Sequence, residues 1–175
     1  ASEPIFVKKG SSLEVPFTVR IPEYAEPGGH YAAILVGTQP PAGRADGPVV
    51  KVSSYVSSLL LVRVKGDIIE RGRIREFISS KTWYDSADVH LSLRFENMGN
   101  AHVRPQGEVT IYNMWGKERG HLPINKEQGF GQVLPNSVRK FDFAWIGDGT
   151  AFDIGRYSAV ATLAFGQEAK QNVTA

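Results

Sequence analysis

The sequence predicts an all-β protein, and two observations carry this prediction. Apolar and polar residues alternate with a period of two in most regular segments, which is the pattern of strands with one buried and one solvated face. Glycine (18) and proline (10) are frequent among the 175 residues, and many of them lie between these segments, as turns between short strands require. Apolar residues make up 42% of the chain, which is enough for a packed core.

Strands are predicted along the whole chain. The first alternating run covers residues 12–20, where Pro16 lies on the outward face and indicates an edge strand or a bulge. A second run covers residues 30–38. Residues 49–64 fit both a strand and a helical face, and their β-branched residues and missing N-cap favour the strand. Further strands are predicted at 68–80, 88–96, 107–115, 119–124, 137–146, 156–166 and 169–175.

An internal repeat predicts two related domains. At a shift of 126 residues, the Gly-x-Tyr-x-Ala pattern of residues 29–33 superposes on residues 155–159. The apolar rows that superpose in the same register are Val15, Phe17 and Val19 on Phe141, Phe143 and Trp145. Alternating strands can match by chance, but a common register across two strands and their connecting loop favours a duplication.

The second copy, residues 67–175, is similar to an immunoglobulin-like sandwich. Asp153, Gly155 and Tyr157 have the spacing of a tyrosine corner, in which a tyrosine at the start of strand F bonds to the backbone of the preceding turn. This resemblance implies that Tyr157 is mostly buried and that the domain is nearly complete. The implied strands are A at 68–80, B at 88–96, C at 107–115, E at 137–146, F at 156–166 and the beginning of G at 169–175, with a further strand at 119–124.

The first copy, residues 1–66, is predicted to be incomplete. Only the E-like, F-like and G-like strands at 12–20, 30–38 and 49–64 are present, and three strands make a sheet without an opposing layer. Its apolar rows therefore require a cover. We expect that cover to be residues upstream of Ala1, the second domain, or a strand from another chain.

Composition and spacing argue against several kinds of site. The absence of cysteine excludes disulfides, thiolate metal sites and a cysteine nucleophile. A net charge of +2 without any basic run argues against nucleic-acid binding. No catalytic motif is present, so we expect neither enzymatic activity nor a cofactor. The chain has four histidines, His30, His90, His102 and His121. They lack metal-ligand spacing and are expected on surfaces or in turns.

The three tryptophans are the candidates for a ligand-binding surface. Trp145 and Trp115 both continue the inward rows of their strands and are therefore predicted to lie in the core. Trp83 and Tyr84 have no inward phase, so this pair is the candidate ligand-binding site.

Four segments together resemble the extracytoplasmic region of bacterial surface proteins related to the WxL-interacting family. They are residues 21–35 (IPEYAEPGGHYAAIL), 95–107 (FENMGNAHVRPQG), 112–117 (YNMWGK) and 133–141 (VLPNSVRKF). The resemblance implies an extracytoplasmic location at the cell surface and a peptidoglycan-binding first region. In such proteins an export signal and a first half-domain precede this region and a membrane-anchoring helix follows it, so we expect this chain to be a fragment. The resemblance implies no catalytic residues.

Backbone requirements also account for these motifs. Asn97, Gly99 and Asn100 are expected in left-handed turn positions, and Pro27-Gly28-Gly29 and Pro135-Asn136 are expected to form turns.

The sequence thus favours a non-enzymatic cell-surface module that binds cell-wall polymer or a surface protein, or acts as a spacer. The alternative is a subunit of a surface fibre or pilus in which neighbouring copies complete the first domain by strand addition. A third hypothesis makes these domains accessories of a hydrolase.

Overall fold

The computed structural model describes residues 4–38, 52–86, 88–126, 131–147, 155–166 and 171–175. The described residues contain strands and no helix, which confirms the all-β prediction. The strands are β1 (Gly28–Gly37), β2 (Tyr55–Val64), β3 (Gly72–Ser79), β4 (Asp88–Asn97), β5 (Gln106–Tyr112), β6 (Glu118–Ile124), β7 (Ser137–Ile146), β8 (Ser158–Phe165) and β9 (Gln171–Thr174).

The chain divides into two compact units. The first unit comprises Ala1–Glu26 and Tyr31–Val62, and the second comprises Pro27–His30 and Arg63–Ala175.

The second unit is a two-layer β-sandwich. One sheet has the strand order β3-β4-β7 and the other has the order β6-β5-β8-β9, and every ladder is antiparallel. Alternation within β4 sends Leu91, Leu93 and Phe95 inward, as the sequence predicted, while His90 and Arg94 remain exposed. The Phe95 ring meets Phe165 of the opposite sheet edge to face, with ring centroids 5.1 Å apart.

The core of this sandwich lies between the two sheets and is formed by both of them. Its buried apolar side chains are Leu91, Leu93, Phe95, Val103, Val109, Ile111, Ile124, Val133, Trp145, Ala161, Leu163 and Phe165. Close backbone approach also shapes the sheets: a Cβ atom on Gly107 would overlap the Thr162 carbonyl of the neighbouring strand β8, so only glycine fits there.

A buried asparagine holds the loop that follows β4. Asn97 has no exposed surface, and its Nδ2 donates to the carbonyls of Ala101 (2.8 Å) and Val133 (2.9 Å). Its Oδ1 accepts from the Gly99 amide at 2.9 Å. The side chain thus bonds to three buried backbone groups and holds the loop together.

Asn100 ties two further segments of the second unit to this loop. Its Oδ1 accepts from the Ile69 amide at 2.8 Å, and its Nδ2 donates to the Asp67 carbonyl at 2.8 Å. Its own carbonyl accepts from the Gly29 amide at 2.8 Å.

The prediction of left-handed backbone at Asn97, Gly99 and Asn100 is wrong. None of the three has a positive φ. The asparagines are needed for their side-chain hydrogen bonds, and a Cβ on Gly99 would overlap the Ile69 carbonyl. The predicted turn at Pro135-Asn136 is confirmed, since Asn136 has a φ of 52°. The turn expected at Pro27-Gly28-Gly29 is not, because Gly28 and Gly29 are the first residues of β1.

The first unit contains a two-stranded hairpin. β1 pairs with β2, and the Thr38 amide donates to the Ser54 carbonyl at 2.9 Å beyond the strand ends. The strand predicted at 12–20 is not formed: the chain there has no ladder partner among the described residues. Alternation defines which face of a strand is apolar, but a strand also needs a neighbour to bond with. β2 begins at Tyr55, and residues 49–51 of its predicted range lie outside the described residues.

The apolar rows of the first unit are exposed. Val15, Phe17 and Val19 have exposed fractions of 60%, 63% and 46%, and Tyr31 and Leu35 are exposed to 61% and 65%. No large apolar side chain described in this unit is buried. These rows therefore lack an opposing layer within the described part of residues 1–66.

Candidate functional site

One end of the sandwich gathers exposed apolar side chains from three connections. In the first sheet, Ser79 pairs with Leu91 and Asp88 pairs with Ile146, so the β3–β4 loop and the end of β7 lie together. In the second sheet, Tyr112 pairs with Ser158, which brings the β5–β6 turn to the start of β8. Contacts of Trp145 join the two sheets here. We name this surface the aromatic end, and it comprises residues 80–86, residues 113–117 and Ile146.

Trp83 is the most exposed tryptophan of this surface, with 88% of its side chain accessible. The neighbouring Tyr84 is half-buried, and its hydroxyl contacts Ser80 Oγ at 3.1 Å. The same hydroxyl accepts from the Lys81 amide at 3.0 Å, which closes the loop on itself. Of the two predicted ligand-binding residues, Trp83 is therefore available to a ligand, whereas Tyr84 positions the loop that presents it.

Hydrogen bonding also perturbs the Tyr84 phenol. Partial burial acts to raise its pKa, but the hydrogen bonds with Ser80 and the Lys81 amide outweigh burial and lower the pKa below its ordinary value. Hydrogen bonds to the Tyr84 oxygen stabilise the phenolate form. The lowered pKa therefore reflects the same contacts that fix the loop.

The prediction that Trp115 lies in the core is wrong. β5 ends at Tyr112, and the turn that follows leaves Trp115 exposed to 70%. Asn113 forms this turn, because its Oδ1 accepts from the amides of Trp115 (3.1 Å) and Lys117 (2.9 Å). Gly116 completes it with a φ of 73°. The alternation of inward and outward side chains in β5 ends at this turn, so it does not determine the direction of Trp115.

Trp145 forms the floor of the aromatic end. It is buried, as predicted, and its ring lies 5.7 Å from the Tyr157 ring at an angle of 47°. A Cβ on Gly120 would overlap the Trp145 indole, so this glycine lets β6 lie close to the ring. Tyr157 is half-buried against Trp145. The turn expected to bond its hydroxyl, including Asp153, lies outside the described residues, so the tyrosine corner stays a prediction.

Sequence reasoning did not find Met114 and Ile146, which extend the apolar surface of the aromatic end. Ile146 is exposed to 78% and Met114 to 59%. A Cβ on Gly155 would lie 2.6 Å from Met114 Sδ, so this side chain rests on the backbone next to β8. The available signal was the position of Ile146 at the end of β7 and of Met114 in the turn after β5, where alternation no longer determines which way a side chain points.

The histidines do not form a common centre. His90 faces solvent beside Asp88 (3.5 Å), and His121 lies 3.2 Å from Glu108 on a strand surface. His30 is exposed and His102 is buried. Within the described ranges, no three histidine or carboxylate side chains gather as a metal site would require.

Burial makes His102 a source of pH-dependent stability. Burial first, and the charge of Arg63 second, lower the pKa of His102 below 6.5, and its Nδ1 is buried without a hydrogen-bond partner among the residues that the structure describes. The unfolded chain therefore binds the His102 proton more readily than the folded chain. We expect the free energy of unfolding to be maintained above pH 6.5 and to fall as the pH drops from there towards the folded pKa.

The measurement is urea unfolding as a function of pH for wild type, His102→Gln and His90→Gln. We expect the first variant to flatten the acid side of the profile and the second, at an exposed histidine, to leave it unchanged. A full acid slope retained in His102→Gln would contradict this assignment.

Three comparisons with known proteins found no match: no family model, no curated protein and no solved structure matches this chain. In the described part of the chain, no helix has the length and apolar character needed to cross a membrane.

Proposed function

We propose that this chain is a non-enzymatic module of a bacterial cell surface whose aromatic end binds a cell-wall polymer by stacking on its sugar rings. The observation that carries this proposal is the exposure of Trp83 to 88% on a loop that Tyr84 holds in place. The resemblance of four sequence segments to extracytoplasmic wall-associated proteins supports the location and the class of ligand.

We infer further that the sandwich is immunoglobulin-like, and its strand orders support this inference. Its strand orders β3-β4-β7 and β6-β5-β8-β9 correspond to A-B-E in one sheet and C′-C-F-G in the other. This topology places loops at the two ends of the sandwich, where such domains commonly carry binding residues. The aromatic end is one of these two loop clusters.

The composition of the aromatic end fits a sugar better than an ion. Trp83 and Trp115 offer large flat apolar faces, and Met114 and Ile146 extend that surface. The apolar C–H faces of pyranose rings can pack on such side chains while the hydroxyl groups stay hydrated. Tryptophan is also the residue type most often found at binding hot spots, because it buries a large area at little cost in conformational entropy.

Binding to purified bacterial cell-wall sacculi tests the proposal. We expect Trp83→Ala and Trp115→Ala each to weaken binding about tenfold or more, since truncation of a hot-spot tryptophan commonly costs about 2 kcal/mol or more. A co-sedimentation assay gives the affinity, and quenching of tryptophan fluorescence by soluble wall fragments gives an independent reading.

The matched control is Tyr24→Ala, which removes an aromatic side chain that is 92% exposed but lies outside the aromatic end. This variant is expected to bind as wild type does. Equal binding by wild type, Trp83→Ala and Trp115→Ala would overturn the polymer-binding proposal. Absence of wall binding together with capture of a defined surface protein by the same two tryptophans would replace the polymer with a protein ligand.

A further inference from the structure

The two exposed tryptophans of the aromatic end belong to different sheets of the sandwich. Trp83 lies in the connection between β3 and β4, and Trp115 lies in the turn between β5 and β6. Their side chains are exposed to 88% and 70%, and neither indole has a ring partner among the described residues. The two indoles therefore offer two separate surfaces on which a ligand can stack.

The strand order gives an estimate of the distance between these two connections. β6 lies against β7, and β3 lies against β9, so the two sheets face each other strand by strand. Neighbouring strands are about 4.8 Å apart and packed sheets about 10 Å apart, so an offset of about one to two strands and one layer amounts to roughly 10–15 Å. A pyranose ring is only about as wide as the spacing between two strands. A single sugar is therefore too small to span the distance from one connection to the other.

Apolar side chains also occupy the surface between the two tryptophans. β7 pairs with β4 and packs against β6, so its end lies between the two connections. Ile146 at the end of β7 is exposed to 78%, and Met114 beside Trp115 is exposed to 59%. We call Trp83, Ile146, Met114 and Trp115 the apolar track. An apolar surface that is long in one direction fits an extended chain better than a compact molecule.

The charges around the apolar track cancel. The charged residues within the aromatic end and directly beside it are Lys81, Lys117, Arg119, Asp85, Asp88 and Glu118, three of each sign. The aromatic end itself contains no arginine, the residue type that binds phosphate groups through paired hydrogen bonds. A polyanion is attracted by a surface on which positive charge accumulates. The apolar track therefore fits an uncharged chain better than a polymer with an acidic group in every repeat.

We infer that Trp83 and Trp115 bind two different sugars of one uncharged glycan chain, which lies along the apolar track. This inference rests on the proposed function and narrows its ligand to the sugar chain, as distinct from the anionic groups and peptides that wall polymers also carry. Each indole stacks on one pyranose face, and the sugars between them pass over Ile146 and Met114. Once the first sugar is bound, binding of the second is intramolecular and benefits from a high effective concentration.

The dependence of affinity on chain length tests this inference. Oligomers of N-acetylglucosamine and of glucose are the probes, because both are linear, uncharged and available at defined lengths. By isothermal titration of the full chain, we expect the hexamer of at least one series to bind about tenfold or more tightly than its dimer. Trp83→Ala and Trp115→Ala should each bind hexamer and dimer with nearly equal affinity. The control Tyr24→Ala, at an exposed aromatic residue outside the aromatic end, should keep the wild-type difference.

Salt distinguishes the sugar chain from an anionic polymer as the ligand. We expect binding to the hexamer and to sacculi to change less than about twofold between low and high salt, because salt screens exposed charges but does not weaken stacking. Loss of sacculus binding at high salt, or after phosphate-bearing polymers are stripped from the sacculi, would overturn the inference.

Two further outcomes separate the inference from the proposed function. Binding to sacculi through both tryptophans, with equal affinity for dimer and hexamer or with no affinity for either oligomer series, would overturn the inference and leave the proposed function intact. Absence of binding to sacculi and to both oligomer series would reject the inference and the proposed function together.

Discussion

Asn97→Ala is expected to lower the free energy of unfolding of the sandwich by about 3 kcal/mol. The substitution removes the partners of the Ala101 carbonyl and the Gly99 amide, both of which lie in a buried loop. The Val133 carbonyl loses one of its two bonds but keeps that from the Val103 amide. A buried polar group left without a partner costs about 1–3 kcal/mol, so two such groups account for the expected loss.

Urea unfolding of wild type and variant at neutral pH measures this loss. Asn113→Ala is the matched control, because Asn113 Oδ1 also accepts two backbone amides, but in an exposed turn where water replaces it. We expect the control to lose less than about 1 kcal/mol. Equal losses in the two variants would show that burial of the Asn97 network contributes nothing.

The strands of the sandwich and their buried faces were predictable because apolar and polar residues alternate along each strand. β4 alternates without exception, so the buried positions Leu91, Leu93 and Phe95 follow from the sequence alone. The same reasoning placed Trp145 in the core. The repeat also related β7 and β8 to segments of the first unit, and the hairpin of β1 with β2 parallels that of β8 with β9.

The remaining features depend on contacts that periodicity does not encode. Residues 12–20 alternate as well as β4 does, yet they form no ladder among the described residues, because pairing requires a neighbour supplied by the fold. Trp115 continues the phase of β5 in the sequence, but the Asn113 turn interrupts the strand before reaching it. Asn97 was recognised as a turn residue, whereas its role as a buried hydrogen-bonding centre depends on Val133, which lies 36 residues away in the chain.

Of the candidate site, the exposure of Trp83 was predictable from the sequence, but the neighbours of Trp83 were not. Trp83 has no strand phase, and its exposure follows from its position in a loop. That Trp115, Met114 and Ile146 share its end of the sandwich is a consequence of strand order and register, which a single sequence does not reveal.

The substitution of phenylalanine by alanine is expected to destabilise the protein strongly in the second unit and hardly at all in the first. Phe95 is fully buried between the sheets and packs on Phe165, so Phe95→Ala removes a large apolar side chain and leaves a cavity. Such substitutions typically cost about 3–5 kcal/mol, a large share of the ~5–15 kcal/mol that holds a domain folded. We expect a strongly lowered urea midpoint, or loss of the folded state at moderate temperature.

Phe17→Ala makes the same chemical change at a residue that is 63% exposed and has no strand partner among the described residues. We expect it to change the free energy of unfolding of the sandwich by no more than about 0.5 kcal/mol, as is usual for surface substitutions. Unfolding should be followed by tryptophan fluorescence, because Trp83, Trp115 and Trp145 all lie in the second unit and report on the sandwich alone. A loss in Phe17→Ala comparable to that in Phe95→Ala would mean that the apolar row of residues 15–19 is buried in solution and contributes to the cooperative core. A small effect would mean that the apolar row of residues 15–19 contributes nothing to the stability of the sandwich.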